Sequence, residues 1–130
     1  MIADTAFIID IMGNEPAAVR KAAEIEKSGG TISVGSPTIF ELWVGLSLCR
    51  KPREEREKIT KVLESLPGVA LDFPSAAAGG IIYGDSEKAG LRIDPEDAMI
   101  AGIAKARNEK VITRNVKHFS GIEGVTIETY

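Results

Sequence analysis

Asp4, Glu41 and Asp97 each lie in apolar surroundings at a point where the chain should turn. Their contexts are Met1-Ile2-Ala3-Asp4-Thr5, Pro37-Thr38-Ile39-Phe40-Glu41-Leu42 and Asp94-Pro95-Glu96-Asp97-Ala98-Met99-Ile100-Ala101. A carboxylate among apolar residues is costly to desolvate unless something neutralises it. Three that converge raise one another's pKa values unless a cation lies between them. Hard divalent ions such as Mg²⁺ take oxygen ligands, so a converging set of this kind is a natural metal site.

The elements that must position these acids alternate between strand and helix. Met1 to Ala3 reads as a short buried strand with Asp4 at its carboxyl end. Pro16 can open a helix to Lys27, stopped by Ser28-Gly29-Gly30. Thr31 to Val34 reads as a strand, and Ser36-Pro37 as an N-cap with proline at the first helical position. The helix that follows, to Cys49, carries Glu41 and is apolar on nearly every side, so it is either deeply buried or half of an interface.

Past the break at Lys51-Pro52-Arg53, Glu54 to Leu66 reads as an amphipathic helix and Val69-Ala70-Leu71 as a third strand. Pro74 opens a small-residue helix to Ala89, and Asp94-Pro95 opens another to Arg107. Lys110 to Thr113 is a fourth strand, Val116 to Phe119 one helical turn, and Val125 to Glu128 a last strand. Such alternation implies parallel pairing, right-handed crossovers and helices on both faces. Ligands of open parallel sheets bind beyond the carboxyl ends of the strands, where Asp4 and Thr113-Arg114-Asn115 are expected.

Composition narrows the function classes. The chain has 130 residues, 44% hydrophobic and 27% charged, which reads as a single domain over 1–130 with its own core. Cys49 is the only cysteine, which excludes an intrachain disulfide and fits a reducing cytoplasm. No apolar run approaches the roughly 20 residues that span a bilayer, and no signal-peptide pattern is visible. A net charge of −3 argues against binding nucleic acid by bulk charge. Nucleic-acid chemistry here has to rest on a local patch and a metal.

The ordered segments resemble the PIN-domain ribonucleases, especially the small toxin members called VapC. The residues that carry the resemblance are Ile2-Ala3-Asp4-Thr5, Phe40-Glu41-Leu42 with Gly45, Pro95-Glu96-Asp97-Ala98-Met99-Ile100-Ala101, and Val111-Ile112-Thr113-Arg114-Asn115 with His118-Phe119. It spans essentially the whole chain. It implies a PIN-like three-layer α/β/α fold with a central parallel sheet of four to five strands. It also implies a metal-dependent endoribonuclease leaving a 5′-phosphate and a 3′-hydroxyl, with Mg²⁺ or Mn²⁺ held by Asp4, Glu41 and Asp97. Thr113 matches a hydroxyl position often seen beside the acids. Asn115 stands where many members carry a fourth acid, so a second metal should bind less readily, while its amide can orient a neighbouring carboxylate. The implied partners are RNA, a VapB-like antitoxin segment docked between helices, and a second copy of the chain in a homodimer.

Other readings compete residue by residue. Asp97 lies three residues after Asp94, where an acid can complete a capping box at a helix start. Asp4 can simply end a strand. Asp94 reads as the cap itself and is left out of the catalytic set. Asp72 ends a predicted strand, and Asp10 and Asp85 read as helix-surface or terminal charges. His118 reads as solvent-facing or capping, and Trp43 and Tyr83 as core. Arg114, Lys117 and Arg92 are candidate contacts for an RNA backbone. The competing function is a noncatalytic α/β binding module, or a receiver-like Mg²⁺-binding domain with Asp72 as phospho-acceptor. That reading leaves Glu41 and Asp97 without a role.

Overall fold

A computed structural model describes all residues, 1–130. Five short strands form one parallel sheet in the order β3-β2-β1-β4-β5. They are β1 (Ile2–Ala3), β2 (Ser33–Gly35), β3 (Gly68–Val69), β4 (Val111–Ile112) and β5 (Ile127–Glu128). The helices are α1 (Thr5–Met12), α2 (Pro16–Lys27), α3 (Ser36–Leu48), α4 (Pro52–Glu64), α5 (Phe73–Lys88), α6 (Pro95–Arg107) and α7 (Val116–Phe119). Central β1 pairs with both neighbours, Ile2 opposite Ser33 and Val111, and Ala3 opposite Val34 and Ile112.

The two-residue period of a strand sends alternate side chains to opposite faces, and the core divides accordingly. Ala3, Val34 and Ile112 join Phe7, Ile8, Ile25, Leu42 and Ile59 from α1 to α4. Ile2 and Val111 join Ile82, Ile100, Ile103 and Phe119 from α5 to α7. Burying each such isoleucine or phenylalanine stabilises the fold by roughly 1.5–3 kcal/mol. The sheet is therefore clamped from both sides, and its carboxyl edge is a fixed platform.

Several elements differ from their sequence-based bounds. Thr5–Met12 is a helix although no periodicity announces it: the segment is apolar nearly throughout, and Asp4 starts it by accepting from Phe7 N at 2.8 Å. The third strand is Gly68–Val69, not Val69 to Leu71, because it pairs with Val34 and Gly35 of β2. Gly35, not Ser36, occupies the N-cap of α3, and Ser36 Oγ instead accepts from Leu71 N at 2.9 Å. Pro52, at the first position of α4, begins that helix rather than breaking the chain before it. Trp43 and Tyr83 are not core residues; they are 40% and 36% exposed.

The placement of α6 depends on glycine. A Cβ on Gly102 would collide with the backbone of Ser75 and Gly79, and one on Gly79 would come within 2.9 Å of Ala98 O. Helices α5 and α6 therefore touch backbone to backbone, which fixes where α6 presents its first turn. No helix is long and apolar enough to cross a membrane.

Candidate active site

The expected acids gather at the carboxyl edge of the sheet. Asp4 follows β1 directly and is 2% exposed, although it is ionisable. Its Oδ1 accepts from Phe7 N, and its Oδ2 accepts a short bond from Thr113 Oγ1 at the end of β4. Thr113 Oγ1 in turn accepts from Asn115 N at 2.8 Å. Asn115 thus enters the site through its backbone, at the position before α7. Glu41, in the second turn of α3, accepts from Thr5 Oγ1 at 2.6 Å, and Thr38 Oγ1 lies 3.2 Å from that hydroxyl. Asp97, in the first turn of α6, faces His118 Nδ1 at 2.8 Å.

The charge of Asp97 acts on both other carboxyl groups. Burial pushes the Asp4 carboxyl up, the charge of Asp97 adds to this, and the bonds from Thr113 and Phe7 oppose it. Burial also raises Glu41, and the charges of Asp97, Glu96 and Asp94 raise it further. Asp97 is raised by burial, with Asp94 and Glu96 adding and His118 opposing. Three carboxyls pushed the same way, with Asp97 acting on both others, form a pocket of unbalanced negative charge.

Whether a divalent ion suits the pocket turns on its donors. All three acids offer hard oxygens, and their raised pKa values mark charge that a cation would relieve. As the side chains stand, no group of three His, Cys, Asp or Glu residues closes around one point in metal-binding geometry. Asp97 is turned to His118 and Glu41 to Thr5. Mg²⁺ keeps several waters and needs only one or two direct carboxylates, so the donor set fits such an ion without forming a closed cage.

Other residues fall differently from their sequence reading. His118 is exposed, as expected, but its ring is joined to Asp97 rather than left to solvent or a cap. Asp94 occupies the N-cap position of α6 without a side-chain capping bond. Asp72 caps α5, accepting from Ser75 N at 3.0 Å, which explains it without any phospho-acceptor role. Asp85 is exposed on α5. Asp10 is not a surface charge: it is 8% exposed and holds Arg114 and Tyr130. The roles of Thr5 and Thr38 were not anticipated. The only signal was their spacing, Thr5 directly after Asp4 and Thr38 one helical turn before Glu41.

Comparison with known proteins agrees with this architecture. The family model described as "PIN domain" matches residues 1–124. The chain is 27% identical over 127 residues to the "tRNA(fMet)-specific endonuclease VapC" of Shigella flexneri, covering 98% of this chain and 95% of that one. Among solved structures, VapBC from Salmonella typhimurium, crystallised bound to DNA, superposes with a TM-score of 0.88 at 27% identity, covering 98% and 96% of the two chains. VapBC2 from Rickettsia felis, bound to a promoter DNA fragment, gives a TM-score of 0.90 at 24% identity, covering 99% and 97%. With its sheet order, its acids at the carboxyl edge and a family match over nearly its full length, the chain belongs to the PIN-domain family.

Proposed function

We propose that this protein is a divalent-metal-dependent endoribonuclease, the toxin of a VapBC-type toxin–antitoxin pair. The observation that carries the reading is the set of buried and part-buried acids Asp4, Glu41 and Asp97, all with raised pKa values, at the carboxyl edge of a PIN-domain sheet. Those three acids would hold the ion, Mg²⁺ or Mn²⁺, directly or through water. When bound, it supplies Lewis acidity that acidifies the attacking water and offsets charge on the scissile phosphate.

The remaining residues orient the acids. Thr113 and the Phe7 N–H fix both oxygens of Asp4, so its carboxylate cannot rotate. Thr5 holds one oxygen of Glu41 and leaves the other free. His118 Nδ1 lies 2.8 Å from Asp97 Oδ2 and orients that carboxylate. Asn115 holds Thr113 through its N–H, which keeps the Thr113 hydroxyl proton aimed at Asp4. Two relatives are described as specific for tRNA(fMet), so RNA is the substrate class and tRNA the first form to test.

Apolar surface supports the partners. Phe40, Trp43, Val44 and Leu48 of α3 are 40% exposed or more. A cleft of about 380 Å³ between α1, α2 and α4 is lined by Phe7, Ile11, Ala22, Ile25, Val62 and Leu66. The cleft suits an amphipathic antitoxin helix, and the α3 face a second copy of the chain. The test of function is incubation of purified protein with end-labelled tRNA in Mg²⁺, Mn²⁺ or EDTA. Cleavage in both metals, none in EDTA, and products bearing 5′-phosphate and 3′-hydroxyl ends are expected. Cutting that persists undiminished in EDTA would overturn the metal role.

A further inference from the structure

Asp10 lies outside the acid pocket, yet with Asp4 it is one of the two acids buried in the molecule. Both its oxygens are engaged. Oδ1 lies 3.1 Å from Arg114 Nη1, and Oδ2 accepts from the Tyr130 hydroxyl at 2.6 Å. The Tyr130 ring meets Phe7 edge-on at 5.0 Å between centroids. Burial and Asp10 push the Tyr130 hydroxyl upward, so it remains a donor. Phe7 is the residue whose N–H holds Asp4. One packed unit therefore ties Arg114 to the frame of the acid pocket.

The direction of that tie matters. Arg114 leaves the sheet between Thr113, which donates to Asp4, and Asn115. Because Arg114 directly follows the residue that holds Asp4, a guanidinium without a tether is free to swing toward the acids. Asp10 lies six residues beyond Asp4, roughly 9 Å along α1 at the rise of a helix. Its ion pair holds the guanidinium against α1. The Arg114 side chain stays 53% exposed, with Nη1 in contact with Asp10. A guanidinium carries further N–H donors suited to an anionic phosphate, and this one is open to solvent.

We propose that Asp10 and Tyr130 are positioning residues that hold the Arg114 guanidinium beside the acid pocket, as a receptor for an RNA backbone phosphate flanking the scissile one. The inference rests on the ribonuclease reading for its substrate. In a chain of net charge −3, a cation fixed at the rim supplies the local attraction for RNA that the bulk charge lacks.

The experiment is the affinity of the full chain for a labelled short single-stranded RNA, by fluorescence anisotropy in EDTA over a range of salt. Arg114→Ala is expected to weaken binding on the order of tenfold. It should also flatten the dependence of log Kd on log salt by about 0.7, the loss of one phosphate contact. Tyr130→Phe and Asp10→Asn should weaken binding by less, and neither should have a further effect in the Arg114→Ala background. Tyr130→Phe keeps the ring against Phe7 and carries the test if Asp10→Asn fails to fold. Wild-type affinity in Arg114→Ala, tighter binding in Asp10→Asn, or losses that persist in the Arg114→Ala background would each overturn the proposal. Binding in the expected pattern by a protein that does not cut RNA with Mg²⁺ would sink the ribonuclease reading while supporting the Arg114 receptor.

Discussion

At the scale of the residue, the acids of the pocket work against the fold that holds them. Asp4, Glu41 and Asp97 all have folded-state pKa values above their ordinary ones. The folded chain thus keeps their protons to higher pH than the unfolded chain, whose carboxyls titrate near pH 4. Their stabilising contribution is full below about pH 4 and is lost as pH rises through the raised values. At neutral pH and without metal, Asp97→Asn should therefore be more stable than wild type. The gain should shrink toward pH 4, which thermal melts at pH 7.5 and 4.5 would reveal. Thr113→Val tests the orienting bond: it leaves Asp4 without its hydroxyl donor and Asn115 N without its acceptor. A rate loss of about 10- to 100-fold is expected from such an indirect contact, with single-turnover cleavage as the readout and an unchanged circular dichroism spectrum as control. The candidate acids were legible in the sequence because a carboxylate between apolar neighbours is conspicuous. His118 and Asp10 were not, because their partners are supplied by residues 21 and 104 positions away, through the fold.

Elements were legible where periodicity or a breaker marked them. The order of strands and helices after Pro16, and the parallel sheet, follow from Pro and Gly punctuation and from short apolar runs. Helix α1 was hidden because Thr5–Met12 is apolar almost throughout, so no stripe separates a buried face from a wet one. The bounds of β3 were set by pairing with β2, which local sequence does not contain. The contact of α5 with α6 was equally silent, since a glycine in a helix reads as weakness until its neighbour is known. It makes a sharp prediction. Gly102→Ala would drive a methyl group into the backbone of Ser75 and Gly79, which cannot give as a side-chain tip could. Destabilisation of about 1–3 kcal/mol or more is expected, together with reduced activity because α6 carries Asp97. Urea denaturation measures the first effect and cleavage of tRNA the second. A stability within error of wild type would mean the two helices can separate without loss.

The whole molecule presents an acid pocket at one edge of the sheet and apolar surface on α3. The exposed Phe40, Trp43, Val44 and Leu48 recur at helical spacing and so share one apolar face of α3. Arg56 lies 6.0 Å from the centre of the Trp43 ring, and so covers it only partly. A homodimer at micromolar concentration is expected, and Leu48→Glu should shift it toward monomer in light scattering or sedimentation. A wild-type chain that stays monomeric at high concentration would contradict the α3 interface. An apolar helix of this kind reads as either deeply buried or half of an interface, and the exposure of Trp43 favours the second over its reading as core.

The central claim is that Asp4, Glu41 and Asp97 together make a divalent-dependent site that cuts RNA. Single-turnover cleavage of end-labelled tRNA, titrated with Mn²⁺, tests it on wild type, Asp4→Asn, Glu41→Gln and Asp97→Asn. Each substitution removes one charge and nearly preserves shape. The predicted result is a rate that rises with Mn²⁺ to saturation in wild type and falls on the order of 100-fold or more in every variant, with folded structure intact by circular dichroism. Variants that cut as fast as wild type, with the same dependence on Mn²⁺, would contradict the account.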